Sequence, residues 1–174
     1  MLPVGIRPRR SRDVGTCSRL LRRAYFEGAF PGHTDDSPRD FLDNEDVLDA
    51  WVAESEGEIV GHVALRRLEP SVRFRWREIT GHSPDDLLAV VGLFVRPRSR
   101  GEGVGADLLD VAAASARAQH RVPVIEVLTT EPTPPPFLHA HGWRLRATDP
   151  RRGKRGPLWL HRFEGPRAWT PPSI

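Results

Sequence analysis

At 174 residues the chain has the length of one ordinary domain, and its content of 39% hydrophobic and 28% charged residues is that of a folded globular protein, which excludes intrinsic disorder. The net charge is only +3, Lys154 is the sole lysine among 26 basic residues, and a lone Cys17 excludes an internal disulfide. The longest apolar stretch, Leu87 to Val95, is far shorter than the roughly 20 residues of a membrane helix, and no signal-peptide pattern follows Met1, so the cytoplasm is the expected compartment.

Ile6 to Arg10 reads as a short opening strand. Asp13 stands in a helix N-cap position before Val14, Cys17, Leu20, Leu21, Ala24 and Tyr25, which fall at helical spacing. On the apolar face of that helix, Cys17 is read as core packing and not as a nucleophile. Next comes a stretch with seven acidic residues, Asp35, Asp36, Asp40, Asp43, Glu45, Asp46 and Asp49, against the single basic Arg39; it reads as loop with a short helix near Arg39 to Leu42. Val47 to Glu54 and Ile59 to Arg67 read as antiparallel strands joined through Ser55-Glu56-Gly57-Glu58. Pro70 to Pro84 shows no clean period; Val72, Phe74 and Trp76 alternate with arginines as an edge strand would.

The continuous apolar run Leu87 to Val95 suits a central strand buried on both faces, with Gly92 marking a bulge or a close backbone approach. A glycine loop follows, and Val104, Leu108, Val111 and Ala112 then define a helical face to about Gln119. Val124 to Thr129 reads as the next strand, a proline-rich turn leads to a short helix ending at His141-Gly142, and Trp143 to Ala147 and Leu158 to Phe163 read as terminal strands. Around the last turn Arg144, Arg146, Arg151, Arg152, Lys154 and Arg155 cluster. Neither aromatic interleaving nor zinc-ligand spacing nor a helix-turn-helix pattern accompanies them, which argues against a nucleic-acid partner. The reading is one α/β domain over residues 1–164, with a mixed, mostly antiparallel sheet flanked by helices and a tail over 165–174.

The segment Arg100-Gly101-Glu102-Gly103-Val104-Gly105-Ala106 between strand and helix has a chemical meaning. Glycines let backbone amides approach an anion, and a helix N-terminus adds partial positive charge, so a phosphate is the expected ligand. As letters, Gly101, Gly103 and Ala106 also satisfy a dinucleotide fingerprint, with Glu126 at about the distance of a ribose contact. That fingerprint normally opens a domain, however, and here it follows strands joined as antiparallel neighbours. The Gly-Lys-Ser/Thr of a nucleotide phosphate loop is missing. A purely structural glycine turn is the third alternative.

The run from Leu93 through Leu109 resembles the acyl-CoA signature of the Gcn5-related N-acetyltransferase (GNAT) family, whose core Arg/Gln-x-x-Gly-x-Gly/Ala is filled by Arg100, Gly103 and Gly105. The element order from Ile6 to about Phe163, and His141-Gly142-Trp143 against the family's late Gly-Phe, are similar too. The resemblance implies the GNAT fold and acetyl-CoA as co-substrate, with no metal. Leu93, Phe94 and Val95 would pair with the pantetheine arm where the fourth strand parts from the fifth. The amides of Arg100, Gly101, Glu102, Gly103, Val104, Gly105 and Ala106 would hold the pyrophosphate. It further implies direct attack of an acceptor amine on the thioester, with an amide near Phe94 or Val95 polarising the carbonyl.

Ile125-Glu126-Val127 resembles a fifth-strand segment whose Glu is the general-base candidate, so Glu126 is the catalytic residue the resemblance selects. The chain departs from the family where an Asn and a Tyr are usual, since Glu131 and Leu138 stand there. Leu138 has no proton to give, and His139 and His141 are the nearest replacements. The acidic stretch lies where the family places its acceptor loop, which implies a cationic small-molecule or peptide amine. A degenerate acyl-CoA-binding sensor or scaffold is the competing function, and a homodimer stays open.

Overall fold

The computed structural model describes residues 3–26 and 37–167. Its strands are β1 (Gly5–Pro8), β2 (Val47–Ser55), β3 (Glu58–Arg66), β4 (Leu87–Val95), β5 (Val122–Thr129), β6 (Arg144–Gly153) and β7 (Gly156–Glu164). The helices are α1 (Val14–Phe26), α2 (Pro38–Leu42), α3 (Pro70–Thr80), α4 (Val104–Ala118) and α5 (Pro136–Ala140). One seven-stranded sheet runs in the order β1-β2-β3-β4-β5-β7-β6. β4 and β5 are parallel, joined through α4, while the other neighbours are antiparallel. A single parallel pair inside an antiparallel sheet leaves no room for the successive βαβ units of a dinucleotide-binding fold.

Local chemistry explains most boundaries. Glu56 and Gly57 both take positive φ, 53° and 77°, which makes the β2–β3 connection a two-residue turn with the twist hairpins prefer. Ser37 caps α2 by accepting the Asp40 N–H at 3.2 Å, with Pro38 at the first helical position. Asp13 does not cap α1. It ends a 3-10 turn, Ser11–Asp13, accepts the Arg10 N–H at 2.7 Å and pairs with Arg7, whose hydrogen bond holds its pKa below the usual carboxylate range.

The segment read as a possible edge strand is the helix α3. Pro70 opens it, and Gly81 closes it at φ 75° with its N–H on the Arg77 carbonyl at 2.9 Å. Val72, Trp76 and Ile79 form its inward stripe against Leu68, Leu87 and Val124, while Phe74 stays 79% exposed. The interleaved arginines disguised a three- and four-residue period as an alternation of two. The terminal hairpin is also longer than expected, because β6 and β7 stay paired out to Gly153 and Gly156 and carry the basic cluster along a ribbon. Gly165 is tied to Pro123 by a 2.8 Å backbone bond; residues 168–174 of the expected tail lie outside the described residues.

Two layers cover the sheet. On one face α4 lays Leu108, Leu109, Ala112, Ala113 and Ala116 on Val63, Leu65, Val90 and Ile125. The other face holds α1 and α2, whose Cys17, Leu21 and Leu42 meet Val52, Ile59 and Phe94, and beside them α3. Burial pushes the Cys17 thiol up to about 11, the state of a packed core cysteine and not of a nucleophile. β4 is accordingly covered on both sides, Leu88 and Val90 by the α4 cluster and Leu87 and Ala89 by the α3 cluster.

Candidate active site

The site begins where two strands part. The parallel ladder between β4 and β5 ends at Val90 and Ile125. Beyond it β4 continues beside β3, with Phe94 opposite His62 and Val95 opposite Gly61, while β5 continues beside β7 from Glu126 to Thr129. The result is a V-shaped opening with Leu93, Phe94 and Val95 on its β4 flank.

A bulge sets which way those residues face. Between Ala64–Val91 and His62–Phe94 the register slips by one, so β4 spends three residues where β3 spends two. Gly92 absorbs the slip at φ 60°. The phase therefore reverses: Val90 and Leu93 both join the α4 cluster, whereas Phe94 turns to the α1 and α2 side. A Cβ on Gly92 would crowd the His62 ring at 3.2 Å, and at this φ any side chain is strained whatever the space.

His62 is fully buried and bonded through both nitrogens. Nδ1 lies 2.8 Å from the Gly92 carbonyl oxygen, and Nε2 lies 3.0 Å from Arg9 Nη1. A guanidinium only donates, so Nε2 accepts and Nδ1 carries the proton it donates to Gly92. Arg9 Nη1 also donates to the Leu42 carbonyl at 2.7 Å, and Arg9 Nη2 reaches Asp43 at 3.4 Å. The His62 ring stacks on Phe94, centroids 5.3 Å apart.

Burial lowers the His62 pKa to about 4, the Gly92 carbonyl opposing the shift and Arg9 adding to it. From pH 6.5 down to about 4 the unfolded chain binds a proton that the native ring refuses. Stability should fall across that window by on the order of 3 kcal/mol for this group alone, and be insensitive to it above pH 6.5. Urea unfolding of wild type and His62→Asn at pH 7 and pH 4.5 checks this. The variant should show the shallower acid loss, and equal losses would remove His62 from the account.

Past β4, a 3-10 turn over Pro97–Ser99 leads into the glycine loop, where Arg100 Nε donates back to the Val95 carbonyl at 3.1 Å. Gly101 and Gly103 take φ 82° and 83°, and Gly103 is the N-cap residue of α4. The first helical bond runs from Asp107 N to Gly103 O at 3.0 Å, so the amides of Val104, Gly105 and Ala106 precede the helical ladder and point out of it. A Cβ on Gly105 would contact Val95 at 3.7 Å and Phe137 at 3.9 Å, which puts this turn at the mouth of the V. Three such amides at the N-terminus of a 15-residue helix form an anion cradle. Alongside lies a cavity of about 410 Å³, bounded by Leu20, Arg23 and Ala24 of α1, Phe94 and Val95, and Arg96, Arg98 and Arg100.

Glu126 stands on the β5 flank, one residue past the end of the ladder, and does not line that cavity. Its Oε1 accepts Arg162 Nε at 2.8 Å. Arg162 is 2% exposed, lies 6.0 Å over the Trp76 ring and also pairs with Asp149, which Arg75 reaches at 2.9 Å. Leu138 is buried in the α4 core, so the neighbouring Phe137 takes the place beside Gly105. The Phe137 ring meets that of His141, centroids 4.6 Å apart, and His141 Nδ1 donates to the Phe137 carbonyl at 2.8 Å. His139 and Glu131 are exposed.

The structure thus brings Leu93–Val95 and Arg100–Ala106 to one opening, with Glu126 on its opposite strand. Sequence reading missed His62, Arg162 and Phe137. A histidine inside the apolar run Val60–Leu65 was a usable signal, since a buried polar ring needs partners.

No curated protein is detectably similar to the chain. Solved structures with the same architecture include an N-acetyltransferase from Staphylococcus aureus Mu50, with a TM-score of 0.71 at 17% identity over 93% of this chain and 97% of that one. Another is yncA from Salmonella typhimurium, described with its cofactor acetyl-CoA, with a TM-score of 0.70 at 19% identity over 99% and 98%. A third, a GNAT family acetyltransferase from Brucella melitensis in complex with acetyl-CoA, has a TM-score of 0.61 at 17% identity over 83% and 84%. At such identities the likeness establishes the fold. The model of the acetyltransferase (GNAT) family matches residues 17–141, most of the chain, from within α1 to the end of α5, and the chain belongs to that family.

Proposed function

We propose that the chain, as one catalytic domain over residues 1–164, transfers an acetyl group from acetyl-CoA to a primary amine by direct attack. The observation that carries this is the amide cradle of Val104–Ala106 opening onto the parted end of β4 and β5. In this reading the amides of Arg100–Ala106 take the pyrophosphate, and Leu93–Val95 pair with the pantetheine arm. An amide near Phe94 or Val95 polarises the thioester carbonyl. Glu126 takes the proton that an alkylamine, with a pKa near about 10.4, must lose before attack. The thiol, with a pKa of about 8.5, leaves as thiolate. The lone buried Cys17, and the absence among the described residues of a helix long and apolar enough to cross a membrane, fit a cytoplasmic enzyme.

The acceptor we propose is cationic. Of the acidic stretch, Asp35 and Asp36 lie outside the described residues, Asp49 is spent on Ser115 and Gln119 of α4, and Asp46 sits among Arg66 and Arg67. Asp40, within α2, accepts from the Ser37 hydroxyl at 2.6 Å, and Asp43, 3.4 Å from Arg9, keeps its side chain 52% exposed; with the exposed Glu45 these are the groups that would meet a cation. The burial of Leu138, where the family resemblance implies a Tyr acid, favours a second reading: a binding module without turnover.

Calorimetric titration should show binding of acetyl-CoA and none of NAD. Thiol release from acetyl-CoA should then be faster with a polyamine or a basic peptide than with a neutral amine, and the preference should shrink as salt rises. NAD binding without acetyl-CoA binding would overturn the function. Acetyl-CoA binding with no release across the amine panel would establish the second reading, and equal rates with all amines would remove the cationic acceptor.

A further inference from the structure

We infer that His62 is a positioning residue for the thioester end of the site, fixing the direction of the Leu93–Val95 amides through the Gly92 carbonyl. This rests on the acetyl-transfer reading above. The bulge at Gly92 sets the phase of the strand after it, so that the Phe94 side chain faces the α1 and α2 side, and with that phase the in-plane direction of the amides that follow. A left-handed glycine is the most permissive point in a strand, so its conformation must be held from outside.

His62 holds it in two ways. Nδ1–H grips the Gly92 carbonyl at 2.8 Å, and the ring face packs on the Phe94 side chain that borders the cavity. The ring is itself held from behind, because Arg9 donates to Nε2 at 3.0 Å while binding the Leu42 carbonyl at the end of α2. One chain of contacts therefore runs from α2 through Arg9 and His62 to the peptide that precedes Leu93. Arg9 and, beyond it, Asp43 are the charged groups facing this chain. Apolar packing at position 62 would fill the same space but leave the Gly92 carbonyl and the Arg9 guanidinium without these bonds.

Three variants separate positioning from packing. His62→Asn places an amide N–H near the site of Nδ1, His62→Gln extends the amide toward Arg9, and His62→Leu offers neither group. Fold is checked by circular dichroism, binding by calorimetry with acetyl-CoA, and turnover by thiol release with the best amine. His62→Leu should lower kcat on the order of 10- to 100-fold, the size expected when a polarising donor is misaimed. The Kd for acetyl-CoA should change by a smaller factor than kcat, because the pyrophosphate amides belong to another element and only the Leu93–Val95 pairing with the pantetheine arm is disturbed. His62→Asn should recover most of kcat, and His62→Gln should resemble His62→Leu.

A folded His62→Leu with wild-type kcat would overturn the role, as would His62→Asn no better than His62→Gln. Should His62→Leu fail to fold, the Asn and Gln pair decides alone. Absence of acetyl-CoA binding by the wild type would instead overturn the function, and this role with it.

Discussion

Gly103→Val should weaken acetyl-CoA binding by on the order of 100-fold or more while the fold survives, measured by calorimetry beside circular dichroism. Gly103 sits at φ 83°, yet a Cβ built there meets nothing within 4 Å. The penalty is therefore one of backbone conformation and not of collision. An L residue in the left-handed region costs roughly 1–2 kcal/mol, and more when it is β-branched. In an exposed loop the chain relieves that strain by leaving the region, and doing so re-aims the amides of Val104, Gly105 and Ala106. Hydrogen bonds to charged groups are each worth about 1.5–3 kcal/mol, so misdirecting two of them accounts for the loss. Gly105→Ala is the control: Gly105 is helical and a methyl there makes ordinary contacts at 3.7 and 3.9 Å, so affinity should stay within a few-fold. Unchanged affinity in Gly103→Val would sink the assignment of the loop.

Glu126→Gln should lower kcat by on the order of 10²-fold, the usual size of general-base catalysis. Its interpretation is cleaner than that of most charge removals. Gln keeps an oxygen for Arg162 Nε, and Asp149 remains to balance the buried guanidinium, so the array over Trp76 stays satisfied. The pH profile carries a second signature. With Leu138 in the core and no tyrosine there to protonate the thiolate, the rate should rise with pH as the acceptor amine loses its proton, without an alkaline decline. A bell-shaped profile abolished by His139→Ala or His141→Ala would refute unaided thiolate departure, and a profile indifferent to Glu126→Gln would remove Glu126 as the base.

Features whose physics is local were readable from the chain. The Arg100–Ala106 loop, the Glu56-Gly57 turn and the run Leu87–Val95 each declare themselves within a few residues, because positive φ, tight turns and two-sided burial select for particular side chains there. What failed was decided across the fold. The arginines between Val72 and Ile79 masked α3, whose inward stripe makes sense only once Leu68, Leu87 and Val124 are seen beneath it. Arg162 stands 36 residues after Glu126, and His62 lies 30 residues before the carbonyl it grips, so no window on the sequence contains either pair. Phe137 went unnoticed because only the fold shows that the five-residue α5 turns Leu138 toward the α4 core and leaves Phe137 beside Gly105.

The short parallel ladder also makes the sheet a seam between two half-sheets, β1 to β4 on one side and β5, β7 and β6 on the other. What clasps the halves besides four residue pairs is α4, which packs across β2, β3, β4 and β5 on one face, and on the other α3, whose stripe meets both Leu87 of β4 and Val124 of β5. The anion cradle is the first turn of α4. A bound pyrophosphate would therefore reinforce one of the two elements whose release lets the halves separate, and ligand affinity would register as resistance of the whole sheet to opening, not of one loop. By mass action, saturation at a hundred times Kd corresponds to about 2.7 kcal/mol, which hydrogen exchange would read at the amides of the β4–β5 ladder, on both sides of the seam.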